Sequence, residues 1–220
     1  MKTVYDTLYR NYGPQYWWPA DTPFEVMIGA ILTQNTAWSN VEKAIANLRK
    51  NDCLTAERIN ATPHEQLAQW LKPSGYFNIK AKRLQSYCRW YLDQGGWRNT
   101  SKRTTAELRN ALLTINGVGP ETADDILLYA FKRPVFVIDT YTRRLFSRLE
   151  MIQEDEDYES LQIRFENALK TVGDHRARLF NEYHALIVHH AKQYCRKRPL
   201  CHQCCLKQRC TYTERKRHTG

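Results

Sequence analysis

Along most of the chain apolar residues recur every three or four positions, the spacing that places them on one face of a helix. Val41, Ala44, Ile45 and Leu48 do so within residues 40–50, as do Leu108, Leu112, Leu113 and Ile115, and again Leu161, Phe165, Leu169 and Val172. No stretch alternates apolar and polar residues for long enough to build a sheet. Val135-Phe136-Val137-Ile138 has the composition of a strand, but four apolar residues after Pro134 suit equally a buried extended connector leading into a helix. Turn signals cut the remainder into short helices, at Thr62-Pro63, Lys72-Pro73-Ser74-Gly75, Gln94-Gly95-Gly96, Asn116-Gly117-Val118-Gly119-Pro120, Lys132-Arg133-Pro134 and Val172-Gly173-Asp174. The pattern predicts an all-α fold without internal repeats. Arg133-Pro134 is the expected crossing between two domains, with the cysteine-rich end in the second.

Composition agrees with a folded chain. Of 220 residues 42% are hydrophobic and 25% charged, with only 9 Gly and 8 Pro, which excludes a disordered, collagen-like or disulfide-stapled miniprotein. Thirty-three Lys and Arg against 23 Asp and Glu leave a net charge of +10. Between residues 192 and 220 Lys192, Arg196, Lys197, Arg198, Lys207, Arg209, Arg215, Lys216 and Arg217 oppose only Glu214, so this end holds most of the excess. Such a balance points to a polyanionic partner. The longest apolar runs, around Phe24–Leu32 and Ile126–Phe131, are too short to span a bilayer, which favours nucleic acid over a membrane. Met1-Lys2-Thr3-Val4-Tyr5-Asp6 lacks the apolar stretch of a secretory signal, so the expected location is the cytoplasm, where thiols stay reduced. Nothing marks an obligate oligomer, and a monomer is expected.

Cys195, Cys201, Cys204 and Cys210 stand as Cys-x5-Cys-x2-Cys-x5-Cys, with Cys205 as an extra thiol. In a reducing compartment this grouping suits a metal better than disulfides. Four thiolates would satisfy zinc. Zinc ribbons, however, pair two close hooks, whereas here a single close pair is flanked by five-residue arms, so the loop is expected to wrap a larger object such as an iron-sulfur cube. Every ligand position would then come from protein, making the site structural. Cys53 and Cys88 stand alone in helical segments and read as buried small hydrophobes.

Leu113 to Ala123 runs from an apolar helix through Asn116-Gly117-Val118-Gly119 into another helix. The two glycines permit positive φ and close backbone approach, and amides at the start of the second helix are able to bind a phosphate oxygen. Gly-x-Gly alone is a weak signal and equally describes an ordinary interhelical turn. About 20 residues on comes Val137-Ile138-Asp139-Thr140, where Asp139 precedes a helical run and has the composition of an N-cap.

Taken together these pieces resemble the helix-hairpin-helix DNA glycosylases of the endonuclease III superfamily, from Phe24 to Cys210. Ile31-Leu32-Thr33-Gln34-Asn35-Thr36 is similar to the family's first-helix motif and Gly75-Tyr76-Phe77-Asn78-Ile79-Lys80-Ala81 to its minor-groove loop. Gly117-Val118-Gly119 matches the hairpin, Val137-Ile138-Asp139-Thr140 the segment with the catalytic aspartate, and the four cysteines the cluster loop, whose first gap is usually six residues and here is five. The resemblance implies a bilobal helical fold with a six-helix barrel domain at 22–132. A 4Fe-4S cluster domain would be built from 1–21 plus 133–220. It further implies double-stranded DNA in the cleft with the damaged nucleotide rotated out of the duplex. Asp139 would face C1′ of that nucleotide, stabilise the oxocarbenium-like sugar and orient or deprotonate water. Gln34 and Tyr76 match positions that fill the vacated gap and wedge the opposite strand. Phosphate contacts would come from the hairpin and from Arg143, Arg144, Arg196 and Lys197.

Bifunctional members carry a lysine in the helix after the hairpin, and the matching residue here is Glu121, which forms no Schiff base. Glu121-Thr122-Ala123-Asp124, Trp17-Trp18-Pro19 and the Gln34 motif are most similar to the branch related to 3-methyladenine DNA glycosylase III, although members of that branch need not carry the iron-sulfur loop. Trp17, Trp18 and Trp38 are candidates for stacking on a cationic alkylated purine, with ordinary core packing as the alternative. His184, His189 and His190 are expected to pack or to meet phosphates. The leading expectation is a monofunctional glycosylase for alkylated purines. The alternatives are an endonuclease III-like enzyme for oxidised pyrimidines or mismatched bases with weak lyase activity from another amine, and a non-catalytic damage-binding protein.

Overall fold

The structure, a computed structural model, describes residues 1–169 and 175–212; Val172 and the basic residues Arg215, Lys216 and Arg217 lie outside these. The regular elements among the described residues are all helical: α1 (Lys2–Tyr12), α2 (Pro23–Leu32), α3 (Trp38–Lys50), α4 (Ala56–Ala61), α5 (His64–Leu71), α6 (Phe77–Asp93), α7 (Gly96–Thr100), α8 (Thr105–Leu113), α9 (Pro120–Asp125), α10 (Thr140–Arg148), α11 (Tyr158–Ala168) and α12 (Arg176–Gln193). The chain divides into two compact units, Ala20–Arg133, and Met1–Pro19 with Pro134–Gly220.

In the unit Ala20–Arg133, α2 occupies the centre because it is apolar on every side. Eight of its ten residues are buried, the pattern of a helix surrounded by others. It begins where Thr22 accepts a hydrogen bond from the Glu25 amide at 3.1 Å and Pro23 supplies the first helical residue. Around it pack α3, α6, α9 and the turn at Ile126–Ala130. Helix α3 buries Val41, Ala44, Ile45 and Leu48, its apolar stripe. Helix α6 buries Ala81, Leu84, Tyr87, Cys88 and Tyr91 on one face, together with Lys80. Cys53 and Cys88 are both buried, as their sequence setting suggested. Thr104 and Glu107 cap α8 reciprocally, each side chain bonding the other's backbone N–H. After the hairpin, α9 widens into a π-helical turn over Ile126–Ala130, every residue of which is buried.

In the other unit α1 and α10 pack on α12. Residues 135–138 are extended and buried, and they pair with no strand. Helix α11 bonds part of their backbone instead, through side chains spaced four apart. Tyr158 Oη accepts from the Ile138 amide at 3.4 Å, Gln162 donates to the Phe136 carbonyl at 2.9 Å, and Glu166 accepts from the Phe136 amide at 3.0 Å. The strand-like composition thus serves burial, with Phe136 in an aromatic cluster with Phe165, Phe180 and Tyr183 at centroid distances of 4.7, 5.4 and 5.7 Å. This connector delivers Asp139 to the start of α10.

Candidate active site

Asp139 is the N-cap of α10: its Oδ1 accepts from the Thr142 amide at 2.7 Å. The residue is buried, only 8% exposed. Its Oδ2 lies 3.5 Å from Nε2 of His184, itself buried on α12. Burial alone would raise the carboxyl pKa, but the neighbouring His184 ring and the hydrogen bond from the Thr142 amide outweigh it and hold the group below its ordinary value of 3.8. Asp139 is therefore an oriented carboxylate, ionised at neutral pH.

Aromatic and cationic groups of the same unit gather near it. The Trp17 and His184 ring centroids are 6.2 Å apart, and those of Trp17 and Trp18 5.9 Å. Both tryptophans are half-buried. The Lys192 ammonium lies 5.9 Å from the Trp17 centroid and 5.7 Å from that of Tyr141. Although Lys192 as a residue is exposed, partial loss of water lowers the pKa of its ammonium, an effect that the charge of Asp139 opposes. Sequence reasoning passed over Tyr141, counted Lys192 only among the basic residues of the C-terminal end, and gave His184 only a generic role. They come together because α12 carries His184 and Lys192 eight residues apart, roughly two turns along one face. Arg143 and Arg144 are half-buried and bonded to backbone carbonyls: Arg143 donates to those of Glu154 and Glu156 at 3.1 and 2.6 Å, and Arg144 to that of Cys195 at 2.8 Å.

In the unit Ala20–Arg133, residues 114–119 form the hairpin between α8 and α9. Gly117 has φ 89°, and a Cβ there would collide with the Arg83 side chain, so glycine is required. Gly119 differs from expectation. Its φ of −93° needs no left-handed freedom, and a Cβ would meet nothing within 4 Å, so packing leaves its outer side open to approach. Val118 is buried and Glu121 exposed in the first turn of α9. Gln34 is docked on this hairpin, donating from Nε2 to the Gly117 carbonyl and to Thr122 Oγ1, both at 2.9 Å, while its Oε1 accepts from Arg83. Tyr76 is 68% exposed. Trp38 donates to Glu42 at 2.8 Å within its own helix, on the exposed side.

The cysteine loop follows α12. Cys195, Cys201, Cys204 and Cys210 line one pocket, with Leu145, Leu149 and Leu206 among the apolar residues around them. Cys205 is not part of that lining; its Sγ lies 3.6 Å from Tyr12 Oη. Among the described residues no three Cys, His, Asp or Glu side chains are grouped closely enough to hold one metal ion. A cubane has no such requirement, because each thiolate binds a different iron. Four thiols around one pocket fit that larger object better than a single zinc. Arg148 braces the loop from α10, donating to the Arg196 carbonyl at 2.7 Å and the Cys195 thiol at 3.3 Å. The side chains of Arg196 and Lys197 remain exposed. His190 is buried between Tyr12 Oη at 2.7 Å and Cys204 Sγ at 3.5 Å.

Comparison with known proteins places these features in a family context. The sequence profile of the HhH-GPD superfamily of base excision DNA repair proteins matches residues 28–171. A candidate DNA repair glycosylase of Methanocaldococcus jannaschii is 45% identical over 210 residues, 94% of each chain. The crystal structure of the H. pylori 3-methyladenine DNA glycosylase MagIII bound to 1,N6-ethenoadenine superposes with a TM-score of 0.72 at 32% identity, covering 87% of this chain and 96% of that one. A non-covalent endonuclease III–DNA complex superposes with a TM-score of 0.82 at 20% identity, covering 99% and 96%, which shows a shared fold.

Proposed function

Because the chain belongs to the HhH-GPD superfamily of base excision DNA repair proteins and is thus a DNA N-glycosylase, we propose that it releases alkylated purines from double-stranded DNA by water attack alone, leaving an abasic site. The observation that carries the reading is Glu121, exposed in the first turn after the hairpin, where bifunctional members of the resembling family carry their Schiff-base lysine. A carboxylate forms no imine with the sugar. The purine assignment rests on chemistry beside Asp139. An alkylated purine is cationic and already a good leaving group, so it needs little acid assistance and is selected by stacking on electron-rich faces such as Trp17 and Trp18. The 32% identical H. pylori enzyme, which binds 1,N6-ethenoadenine, supports a modified purine.

In this reading the cap bond to Oδ1 and the His184 contact at Oδ2 fix the carboxylate plane before DNA binds. The carboxylate serves C1′ of the rotated nucleotide, where its negative charge stabilises the sugar cation and accepts a proton from water. The hairpin Gly117-Val118-Gly119, with exposed Arg196 and Lys197, takes backbone phosphates. Arg143 and Arg144 already donate to backbone carbonyls of their own unit and are left out of that set. Tyr76 wedges the partner strand, and Gln34 fills the gap once its bonds to the hairpin and Arg83 open. Trp38 is bonded to Glu42 within its own helix and is left out of the stacking set. Cys195, Cys201, Cys204 and Cys210 would hold a 4Fe-4S cluster that cross-links the basic loop; bound, the cluster supplies a rigid, redox-capable core.

A second reading has one observation in its favour: Lys192 is an amine near Asp139 with a lowered pKa, which suits weak lyase chemistry. Incubating the purified protein with alkylated DNA and identifying released bases by mass spectrometry tests the substrate class, and borohydride trapping on abasic DNA tests the chemistry. The expected result is an alkylated purine with negligible covalent capture. Efficient capture that Lys192→Met abolishes would replace the first reading by the second.

A further inference from the structure

Lys80 is a lysine with 1% exposure, set in the first turn of α6. Its ammonium donates to the Leu32 carbonyl at 2.8 Å, to Thr36 Oγ1 at 2.5 Å and to the Ser74 carbonyl at 2.6 Å. Three N–H bonds thus meet three acceptors, a complete match for an ammonium. Thr36 Oγ1 in turn donates to the same Ser74 carbonyl at 2.5 Å. A buried charge is kept in a core only when it is fully bonded, and removing it leaves its acceptors stranded.

The acceptors belong to two separate turns. Thr36 closes Gln34-Asn35-Thr36, in which Asn35 has φ 53°; Ser74 precedes Gly75 and Tyr76, with φ 63° and 47°. Left-handed backbone is uncommon outside glycine and unfavourable for a bulky side chain, so surrounding structure must impose it. At Tyr76 it holds a mostly exposed aromatic ring outward. The ammonium bonds both turns and the end of α2 at once. Burial and Arg83 push its pKa down to about 8, which leaves it mainly charged at neutral pH.

We propose that Lys80 is a positioning residue, one that sets the Tyr76 loop against the Gln34 turn so that the two side chains enter the duplex in register. This rests on the reading of Gln34 and Tyr76 as gap filler and wedge. Each turn has a bond of its own, from the Thr36 amide to the Thr33 carbonyl at 3.0 Å and from the Gly75 amide to the Lys72 carbonyl at 3.1 Å, but the ammonium ties the two together, and a shift of about 1 Å in a positioning element is enough to lose roughly a hundredfold in rate.

The test uses the whole protein and a duplex with a tetrahydrofuran abasic analogue opposite 2-aminopurine, which needs no knowledge of the lesion. Insertion of a wedge unstacks 2-aminopurine and raises its fluorescence. We expect a clear rise for the wild type and an inserted population roughly tenfold smaller for Lys80→Met, the change that about 1.4 kcal/mol of lost positioning produces, while circular dichroism and salt-dependent affinity for undamaged duplex stay near wild type. Thr36→Val, which keeps the buried ammonium but removes the hydroxyl shared by both turns, should show the same loss in milder form and decides the matter if Lys80→Met does not fold. If Tyr76→Ala loses the rise while Lys80→Met and Thr36→Val keep it, the positioning role is overturned and the wedge survives. If the wild type gives no rise, the wedge reading falls and takes this inference with it.

Discussion

Helices α10 and α11 begin in the same way. Asp139 accepts from the amide three residues on at 2.7 Å, and Asp157 accepts from the Ser160 amide at 2.9 Å. Both carboxylates are held below their ordinary pKa, yet the causes differ. For exposed Asp157 the hydrogen bonds with Ser160 suffice; for Asp139 burial pushes upward and the His184 ring must overcome it. A cap is thus a local device that many aspartates supply. The step from cap to candidate reactive group lies in what surrounds it: an extended connector that buries the carboxylate and a histidine on α12 that keeps it ionised.

The sharpest way to break this comparison is to remove both charges while keeping both caps. Asparagine caps a helix about as well as aspartate, so Asp139→Asn and Asp157→Asn should each fold with a melting temperature near wild type. Single-turnover excision should fall by roughly a thousandfold or more for Asp139→Asn, the scale of losing a charge that stabilises the transition state, and by less than about twofold for Asp157→Asn. Equal activities would reduce Asp139 to an ordinary cap and leave a damage-binding protein.

A smaller effect separates burial from the histidine. His184→Asn keeps a polar neighbour but removes the ring that offsets burial, so the Asp139 pKa should rise and the acid limb of the excision profile should move to higher pH by about one unit. The sign follows from linkage. In the wild type the folded pKa lies below 3.8, so the stabilisation is present above that value and is lost as pH falls through the folded pKa. Lys192 and Tyr141 also face this carboxylate, and Lys192→Met should displace the limb in the same direction. An unmoved limb in both variants would mean that another group titrates.

The contrast also shows what was legible along the chain. The three-and-four spacing of Val41, Ala44, Ile45 and Leu48 announced α3, and the spacing of Cys195, Cys201, Cys204 and Cys210 announced a shared site, because periodicity and ligand spacing are local signals. Asp139 was readable as a cap for the same reason. Its partner His184 was not, since nothing near residue 139 encodes a contact 45 positions away. The segment 135–138 stayed ambiguous because its hydrogen bonds go to side chains of α11. Lys80 was silent in that sense too: a lysine in the first turn of a helix reads as solvent-facing until the two turns it joins are seen together. Gln34, readable as a motif residue, gave no sign that its amide is held by the hairpin.

The smallest effect tests the other half of the pair. Asp157→Ala removes only a surface cap, leaving the Ser160 amide to water. Its melting temperature should fall by roughly 2–4 °C, in line with an average cap in a chain of this size, with excision unchanged at every pH where the protein is folded. The direction is informative because α11 also carries Tyr158, Gln162 and Glu166, which bond the connector leading to Asp139. If fraying of the first turn of α11 reached that connector, activity would drop with stability, first through the bond from the Ile138 amide to Tyr158 at 3.4 Å, the longest of the three. Calorimetry alongside single-turnover assays distinguishes the two cases: a melting shift without a rate change confines Asp157 to its own helix, and a joint loss would make the start of α11 part of what holds the candidate carboxylate in place.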